Sequence, residues 1–265
     1  MLQNFKKKYN VDYKNILPSE DDFVLFYNKD KILLNEKNEF YQYKDYPNYS
    51  YIYAFNVDDN NYFICLENVK CETPLNIFRE FKDKRSYIIS TGYHLYSWIN
   101  NNRFCGRCGK PTYFSNELRA IKCDCGNEIF PTIAPAVIVG LLNKNHSKIM
   151  LTKYLNGVNY ALVAGYNEIG ETLEETVKRE VFEEVGLKVN NIKYYKSQPW
   201  GKTGSCLSGY YADVFEDEPI KVEENELKFA NWFKPDEIDI DDDNISLTRE
   251  MIEKFKKEKI NLWWD

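Results

Sequence analysis

Residues 165–187 read GYNEIGETLEETVKREVFEEVGL and contain a helix whose two ends are both marked in the sequence. Thr172 followed by Glu175 is the pattern of a capping box at a helix start, and Gly186 supplies the left-handed residue that commonly ends a helix. Four apolar residues recur at intervals of four and form one stripe: Leu173, Val177, Val181 and Val185. These features predict an amphipathic helix over 172–185 with one buried face.

Three glutamates lie beside the apolar stripe of that predicted helix. Glu180, Glu183 and Glu184 are spaced i, i+3 and i+4, so their carboxylates share one helix face. Like charges at this spacing repel one another, and a divalent cation such as Mg²⁺, which prefers oxygen ligands, would make the arrangement favourable. Arg179 stands four residues from both Glu175 and Glu183, where it can orient a carboxylate. A solvated acidic face is the alternative for an E-x-x-E-E pattern taken by itself.

The spacing of the whole segment is far more specific than the glutamates alone. Gly165, five residues, Glu171, seven residues and then REVFEEVGL over 179–187 match every specified position of the Nudix box. The chain therefore resembles the Nudix hydrolases, which cleave diphosphates linked to a nucleoside. The resemblance implies a catalytic site in which Glu180, Glu183 and Glu184 hold Mg²⁺ or Mn²⁺.

Four of the seven cysteines are clustered upstream of this segment. Cys105 and Cys108 form a C-x2-C pair, Cys123 and Cys125 form a C-x-C pair, and a glycine follows the second cysteine of each pair. Four thiolates suit tetrahedral zinc, and a site with no ligand position left for water is structural. We expect one structural zinc ion per chain, with four reduced cysteines in a loop as the alternative.

The cysteine ribbon and two further motifs narrow the resemblance. FPTIAPAVIVG spans residues 130–140 and SQPW spans 197–200, and together with the ribbon they resemble the NADH pyrophosphatase family of Nudix hydrolases. The likeness extends from about Trp98 to the C-terminus. In that family the downstream motif is SQPWPFPxS, whereas residues 197–205 here read SQPWGKTGS. The lost Pro-Phe-Pro core puts the substrate preference in question.

This resemblance implies further site residues. Glu226 and the Ala164 carbonyl would be additional ligands of the catalytic metal, and Arg179 would complete the catalytic group. Either Glu184 or Glu226 would accept the proton of the attacking water, and the sequence does not choose between them. Residues at substrate-binding positions comprise two aromatic residues that stack on the nucleotide, the downstream motif and one residue of the last helix: Phe130, Tyr166, Gln198, Pro199, Trp200, Gly201, Lys202, Thr203, Gly204, Ser205 and Thr248.

The order of apolar runs predicts three regions. Residues 1–100 alternate short apolar runs with polar breaks and end in helices, which is typical of a β-rich domain. The cysteine spacing places a zinc ribbon over 101–130, and the resemblance implies an α/β/α Nudix domain over 131–265. The strand-like runs of that region fit a mixed sheet, and a last helix is expected over about 246–259. The fold class is therefore α+β, a Nudix fold preceded by a ribbon and a β-rich domain.

Composition excludes several classes of function. The 265 residues are 43% hydrophobic and 16% aromatic, enough for a packed core, and the net charge of −6 argues against a large basic face for duplex nucleic acid. Neither a membrane-spanning run nor a signal-peptide core is visible, so we expect a cytoplasmic protein with no membrane partner. The aromatic surplus permits the homodimer that the resemblance implies.

Four hypotheses of function follow. The first is hydrolysis of NADH or NAD⁺ to nicotinamide mononucleotide and AMP. The second is hydrolysis of another nucleoside diphosphate, such as ADP-ribose or a diadenosine polyphosphate, and the third is removal of NAD caps from RNA. The fourth is a nucleotide-sensing or scaffold protein that kept the fold, although no expected glutamate is missing.

Overall fold

The computed structural model describes residues 1–155, 157, 159–215, 219–240 and 243–257. The chain divides into two compact units. The N-terminal unit comprises Asn4–Ile133 together with Trp200–Gly204. The C-terminal unit comprises Met1–Gln3, Ala134–Pro199 and the described residues from Ser205 onward. The predicted boundaries near residues 100 and 130 stay a prediction.

The N-terminal unit is built from short strands, as its alternating apolar runs predict. The strands are β1 (Tyr9–Asn10), β2 (Phe23–Leu25), β3 (Tyr27–Asn28), β4 (Lys31–Ile32), β5 (Tyr41–Gln42), β6 (Tyr51–Val57), β7 (Asn60–Cys65), β8 (Thr73–Pro74), β9 (Tyr113–Phe114), β10 (Ile121–Lys122) and β11 (Glu128–Ile129). One sheet has the order β1-β6-β7-β2-β5, and β3-β4-β8 and β11-β10-β9 form two smaller sheets. Its aromatic core includes Phe26, Tyr53 and Phe63, which are almost fully buried.

Helix α1 (Lys84–Asn101) follows the first two of these sheets. It begins at Asp83, whose side chain accepts a hydrogen bond from the Arg85 amide and so caps the helix. The apolar run that begins at Pro74 starts as a 3₁₀ helix over Leu75–Arg79 instead of a longer α-helix. Three further 3₁₀ helices cover Leu2–Asn4, Tyr43–Asp45 and Pro235–Glu237.

The C-terminal unit contains a mixed sheet. Its strands and helices in chain order are β12 (Ala134–Leu142), β13 (Ile149–Tyr154), β14 (Val163–Tyr166), α2 (Leu173–Val185), β15 (Val189–Trp200), β16 (Ser205–Val214), β17 (Leu227–Phe233) and α3 (Leu247–Lys257). The sheet order is β15-β16-β12-β13-β17, and β14 also pairs with β12. The β12–β16 pair is parallel, whereas β13 and β14 run antiparallel to β12.

One helix packs on each face of this sheet, as the side-chain alternation of strand β12 requires. Val137 and Val139 contribute to the core that holds the apolar stripe of α2. Ile138 and Leu142 belong to the core that holds Met251 and its neighbours on α3. Each such buried aliphatic side chain contributes about 1.5–3 kcal/mol relative to its exposed state. This layering confirms the predicted α/β/α Nudix fold.

The capping box and the final glycine predicted for α2 are both present in the structure. The Thr172 side chain accepts a hydrogen bond from the Glu175 amide, and the Glu175 carboxylate accepts one from the Thr172 amide. Gly186 ends the helix with a φ of 72°, and its amide donates to the Phe182 carbonyl. For the last helix, α3 extends from Leu247 to Lys257, and the predicted residues 258 and 259 lie outside the described part of the chain.

No helix within the described ranges combines the length and apolarity needed to span a bilayer.

Candidate active site and metal centre

A missing side chain makes room for the first carboxylate of the site. Gly165 lies on strand β14, and a Cβ built there would overlap the Glu180 carboxylate. The Glu180 side chain therefore lies directly over the backbone of β14 and is only 12% exposed. Burial raises the pKa of the Glu180 carboxyl, although its hydrogen bond from Arg179 acts in the opposite direction. The first glycine of the sequence motif is thus a steric requirement.

Arg179 connects this carboxylate to three other groups. Its guanidinium donates to both oxygens of Glu171, at 2.7 and 2.9 Å, and to the Tyr166 carbonyl at 2.9 Å. One nitrogen, Nη1, also donates to Glu180 at 2.7 Å and to Glu183 at 2.9 Å. These bonds hold the pKa of Glu171 at about 2, so Glu171 stays ionised and anchors the arginine. Arg179 therefore fixes the direction of two carboxylates that would otherwise repel each other.

Glu184 is the most deeply buried acid of the group, with 1% of its surface exposed. Its Oε1 accepts hydrogen bonds from the Tyr154 hydroxyl at 3.2 Å and the Ala164 amide at 3.3 Å. Its Oε2 is buried with no hydrogen-bond partner. Burial raises the pKa of the Glu184 carboxyl to about 8, because the charged form loses its hydration without a full set of replacement donors.

The two remaining predicted carboxylates are open to solvent. The Glu183 side chain is 56% exposed, and Glu226 is exposed just before strand β17. The Glu226 charge raises the pKa values of both Glu180 and Glu184, which shows that it lies within electrostatic range of them. The Ala164 carbonyl accepts a bond from the Tyr154 hydroxyl at 3.3 Å. All the predicted ligands of the catalytic metal thus belong to the C-terminal unit.

These acids fit a hard divalent cation on two observations. The Glu184 Oε2 is a buried carboxylate oxygen without a donor, which is an unusual and costly state in a folded protein. Burial also raises the pKa values of both Glu180 and Glu184, so a nearby positive charge would favour their ionised forms. The oxygen-only donor set is the type that Mg²⁺ and Mn²⁺ prefer.

The four clustered cysteines form a second candidate metal centre, in the N-terminal unit. The Sγ atoms of Cys105, Cys108, Cys123 and Cys125 all lie within 4.8 Å of one another. The closest pairs are Cys105–Cys125 at 3.7 Å and Cys108–Cys123 at 3.5 Å. A tetrahedral site with Zn–S bonds of about 2.3 Å requires sulfur atoms about 3.8 Å apart, so the set fits a structural zinc ion.

Local turns explain how the two cysteine pairs are shaped. Gly109 and Gly126 have φ values of 73° and 83°, which few other residues adopt. These turns direct the Gly109 amide to the Cys105 carbonyl and the Gly126 amide to the Cys123 carbonyl. Asn127 donates to the Cys105 sulfur at 3.5 Å. The C-x-C pair therefore reaches the same cluster as the longer C-x2-C pair.

The predicted substrate residues of the C-terminal unit differ in accessibility. Tyr166 is 52% exposed, and its hydroxyl accepts a bond from Ser205 at 3.3 Å. Gln198 is fully buried: its Oε1 accepts from the Leu247 amide, and its Nε2 donates to the Ile245 carbonyl. Gln198 thus holds the start of α3. Pro199 is exposed and Thr248 is half-buried on the first turn of α3.

The other predicted substrate residues belong to the N-terminal unit. Phe130 is 52% exposed. Trp200 packs edge-on against Phe78 at 5.4 Å, and the Lys202 ammonium donates to Asn76 at 2.7 Å. Gly201 is buried, whereas Thr203 is exposed and Gly204 has a φ of 70°.

Gly201 has a steric role of its own in this loop. Its amide donates to the Ser90 hydroxyl at 3.1 Å, and an added Cβ would overlap the Ser90 carbonyl of α1. The glycine that replaces the first proline of the family motif thus permits a close backbone approach.

Tyr154 is a site residue that the sequence reasoning missed. Its hydroxyl contacts both Glu184 and the Ala164 carbonyl, so it links two predicted metal ligands. Asn167 is a second, because it donates to the Thr176 hydroxyl at 2.7 Å and to the Glu171 carbonyl at 3.2 Å. Neither residue occupies a specified position of the Nudix box. Their roles become visible only from the side-chain contacts that they make in the folded chain.

The family comparison agrees with this geometry. Residues 132–255 match the model of the NUDIX domain. A crystal structure of a NUDIX hydrolase from Nitrosomonas europaea covers 62% of the chain and 94% of its own length, with 21% identity and a TM-score of 0.49.

Curated relatives give the closer likeness. The NAD-capped RNA hydrolase NudC of Haemophilus influenzae is 33% identical over 202 residues, 74% of this chain and 71% of that protein. The NudC of Actinobacillus succinogenes is 37% identical over 174 residues, 62% of this chain and 65% of that protein. The match thus spans slightly less than two thirds of the latter relative. With the carboxylate helix and the cysteine cluster described above, the chain belongs to the Nudix hydrolase family that contains these NudC proteins.

Proposed function

We propose that the chain hydrolyses the diphosphate bridge of NADH or NAD⁺ to nicotinamide mononucleotide and AMP. Water adds to one phosphorus of the bridge, and the bridging P–O bond breaks. The observation that carries the proposal is the group of three acids on one face of α2, with Glu180 seated over Gly165 and tied to Glu183 through Arg179. A diphosphate bridge carries two negative charges, which an acidic site can accept only together with cations.

Bound Mg²⁺ or Mn²⁺ would neutralise the bridge and lower the pKa of the attacking water. Glu180, Glu183, Glu184 and the Ala164 carbonyl would hold these ions, and Arg179 would keep Glu180 and Glu183 aimed. The Tyr154 hydroxyl lies within hydrogen-bond distance of both the Glu184 Oε1 and the Ala164 carbonyl, so its single proton would be shared between them and keep the two oxygens close together.

Proton acceptance from the water requires a carboxylate that is not fully engaged. Glu184 is buried, and its Oε1 already accepts two hydrogen bonds. Glu226 is exposed and lies within electrostatic range of the helix acids. The Glu184 Oε2 has no hydrogen-bond partner but is buried, whereas Glu226 is exposed to solvent, so we propose Glu226 as the general base.

Substrate binding would combine stacking and polar contacts. The exposed ring of Tyr166 would supply an aromatic face for a nucleotide base. The stacking role of Phe130, in the N-terminal unit, is what the family resemblance implies. Trp200, Gly201, Lys202, Thr203, Gly204 and Ser205 occupy the positions of the family's substrate motif. Pro199 and Thr248 complete this proposed set, and Gln198 supports it by holding the start of α3.

An NAD cap on RNA is the second candidate substrate, because the relatives of the chain are named NAD-capped RNA hydrolases. The cap contains the same diphosphate bridge, so the same acids would serve both reactions. We further propose that the four clustered cysteines bind zinc. Clustered reduced thiols also support a cytoplasmic location. The family resemblance is the basis for proposing a homodimer.

A product assay tests the proposal. Purified protein with Mg²⁺ or Mn²⁺ is offered NADH, NAD⁺ and ADP-ribose at equal concentration, and AMP and nicotinamide mononucleotide are separated by chromatography. We expect NADH or NAD⁺ to be turned over fastest, with the two mononucleotides in equal amounts. Preference for ADP-ribose would overturn the substrate assignment, and absence of turnover with all three would overturn the activity.

A further inference from the structure

An open groove with two exposed phenylalanine rings lies on the outer side of α2. Its cavity volume is about 650 Å³, which falls within the range of about 300–1,000 Å³ for ligand sites. Phe182 on α2 is 55% exposed and Phe215 after β16 is 59% exposed, and both line the groove. Two large apolar side chains exposed in one groove are a feature of ligand-binding surfaces.

Positive charge accompanies the two rings. Lys178 and Lys188 line the same groove, are exposed, and form no ion pair with any residue that the structure describes. Glu175 also lines it, but its carboxylate accepts the hydrogen bonds of the helix cap. Lys178 lies within electrostatic range of Glu175, and Lys188 adds a second positive charge. The groove therefore offers flat apolar faces and cations together, which is the pattern that binds single-stranded nucleic acid.

The groove also adjoins the proposed active site. Arg179 lines the groove and, through its Nη1, contacts Glu180 and Glu183. Phe182 precedes Glu183 in the chain. A polymer whose first residue lay at the helix acids could thus continue over α2 toward Phe215.

We propose that this groove binds the single-stranded RNA that follows an NAD cap. Bases would stack on Phe182 and Phe215, and Lys178 and Lys188 would contact the phosphates. The inference rests on the capped-RNA form of the proposed function. In this proposal, one face of α2 carries the acids that act on the diphosphate bridge, and the other face binds the RNA chain.

Binding of an uncapped, fluorescein-labelled RNA decamer tests the groove separately from catalysis. Fluorescence anisotropy is measured for the wild-type protein, Phe215→Ala and Lys188→Ala. Removing a stacking ring weakens binding by about tenfold. Lys188→Ala should weaken binding and reduce the slope of log affinity against log salt by about 0.7.

Two matched variants serve as controls. Phe104→Ala removes a ring that is 64% exposed elsewhere, and Lys144→Ala removes an exposed lysine on the β12–β13 turn. Both should bind the decamer like the wild type, and all four variants should keep the wild-type melting temperature. Equal binding by Phe215→Ala, Lys188→Ala and the wild type, or no binding by the wild type, would overturn the proposal. A Phe215→Ala variant that changes oligomeric state without changing RNA binding would identify a protein interface and overturn it as well.

Turnover separates this inference from the proposed function. Phe215→Ala should lower kcat/KM for NAD-capped RNA about tenfold and leave kcat/KM for free NAD⁺ unchanged. If neither substrate is turned over by the wild type, the proposed function fails, and the decamer measurement still decides whether the groove binds RNA.

Discussion

At the scale of single residues, Gly165 controls where the Glu180 carboxylate lies. A methyl group at this position would overlap that carboxylate, so Gly165→Ala must displace either strand β14 or the acid. A shift of about 1 Å in a reacting geometry can reduce turnover about 100-fold. We expect Gly165→Ala to lower kcat by about that factor while the far-ultraviolet circular dichroism spectrum stays unchanged. Wild-type turnover in the variant would show that the position of Glu180 is unimportant.

Arg179 acts through geometry as well as charge. It donates in parallel to both oxygens of Glu171, and its Nη1 bridges Glu180 and Glu183. Lysine keeps the charge but cannot make this set of bonds. We expect Arg179→Lys to reduce kcat for NADH about 10- to 100-fold and to raise the Mg²⁺ concentration needed for half-maximal rate. The neighbouring reverse change, Lys178→Arg, should leave both values unchanged, and a similar effect of the two variants would contradict this role.

At the scale of elements, the capping box stabilises α2. Thr172→Ala removes the side chain that accepts the Glu175 amide, and loss of an N-cap costs about 0.5–2 kcal/mol of unfolding free energy. Urea unfolding of the two variants Thr172→Ala and Thr172→Ser measures this cost, because serine keeps the capping oxygen. The expected order of stability is wild type, serine, alanine. An alanine variant as stable as the wild type would mean that the cap contributes nothing.

We expect the cysteine cluster to stabilise the ribbon strands β9, β10 and β11, as the capping box stabilises α2. Those strands have only two residues each, so they form few ladder hydrogen bonds, and a bound metal would add to the stability of the ribbon. Cys123→Ser should abolish the one zinc ion per chain measured by plasma mass spectrometry and lower the melting temperature. Cys206→Ser alters a thiol outside the cluster and should keep the zinc. Zinc retained by Cys123→Ser would contradict the assigned ligand set.

At the scale of the whole molecule, features that depend on short sequence spacings could be predicted, whereas features that depend on contacts between distant residues could not. The ends of α2, the shared face of its glutamates and the cysteine pairs depend on spacings within about 25 residues, and such spacings are visible in one sequence. The contact between Gly201 and Ser90 joins residues 111 positions apart, so sequence alone did not reveal why a glycine follows Trp200. Tyr154 escaped notice for the same reason, because its role depends on where β13 lies relative to Glu184.

The central claim is that the glutamate face of α2 performs diphosphate hydrolysis. Glu183→Gln tests it most directly, because the Glu183 side chain is 56% exposed and its replacement leaves the core intact. Glu174→Gln is the matched control, since it makes the same chemical change on an exposed residue of the first turn of α2. AMP release from NADH is measured for both variants and the wild type in the presence of Mg²⁺ or Mn²⁺. The account predicts at least a 100-fold loss for Glu183→Gln and wild-type turnover for Glu174→Gln; equal rates for all three proteins would contradict it.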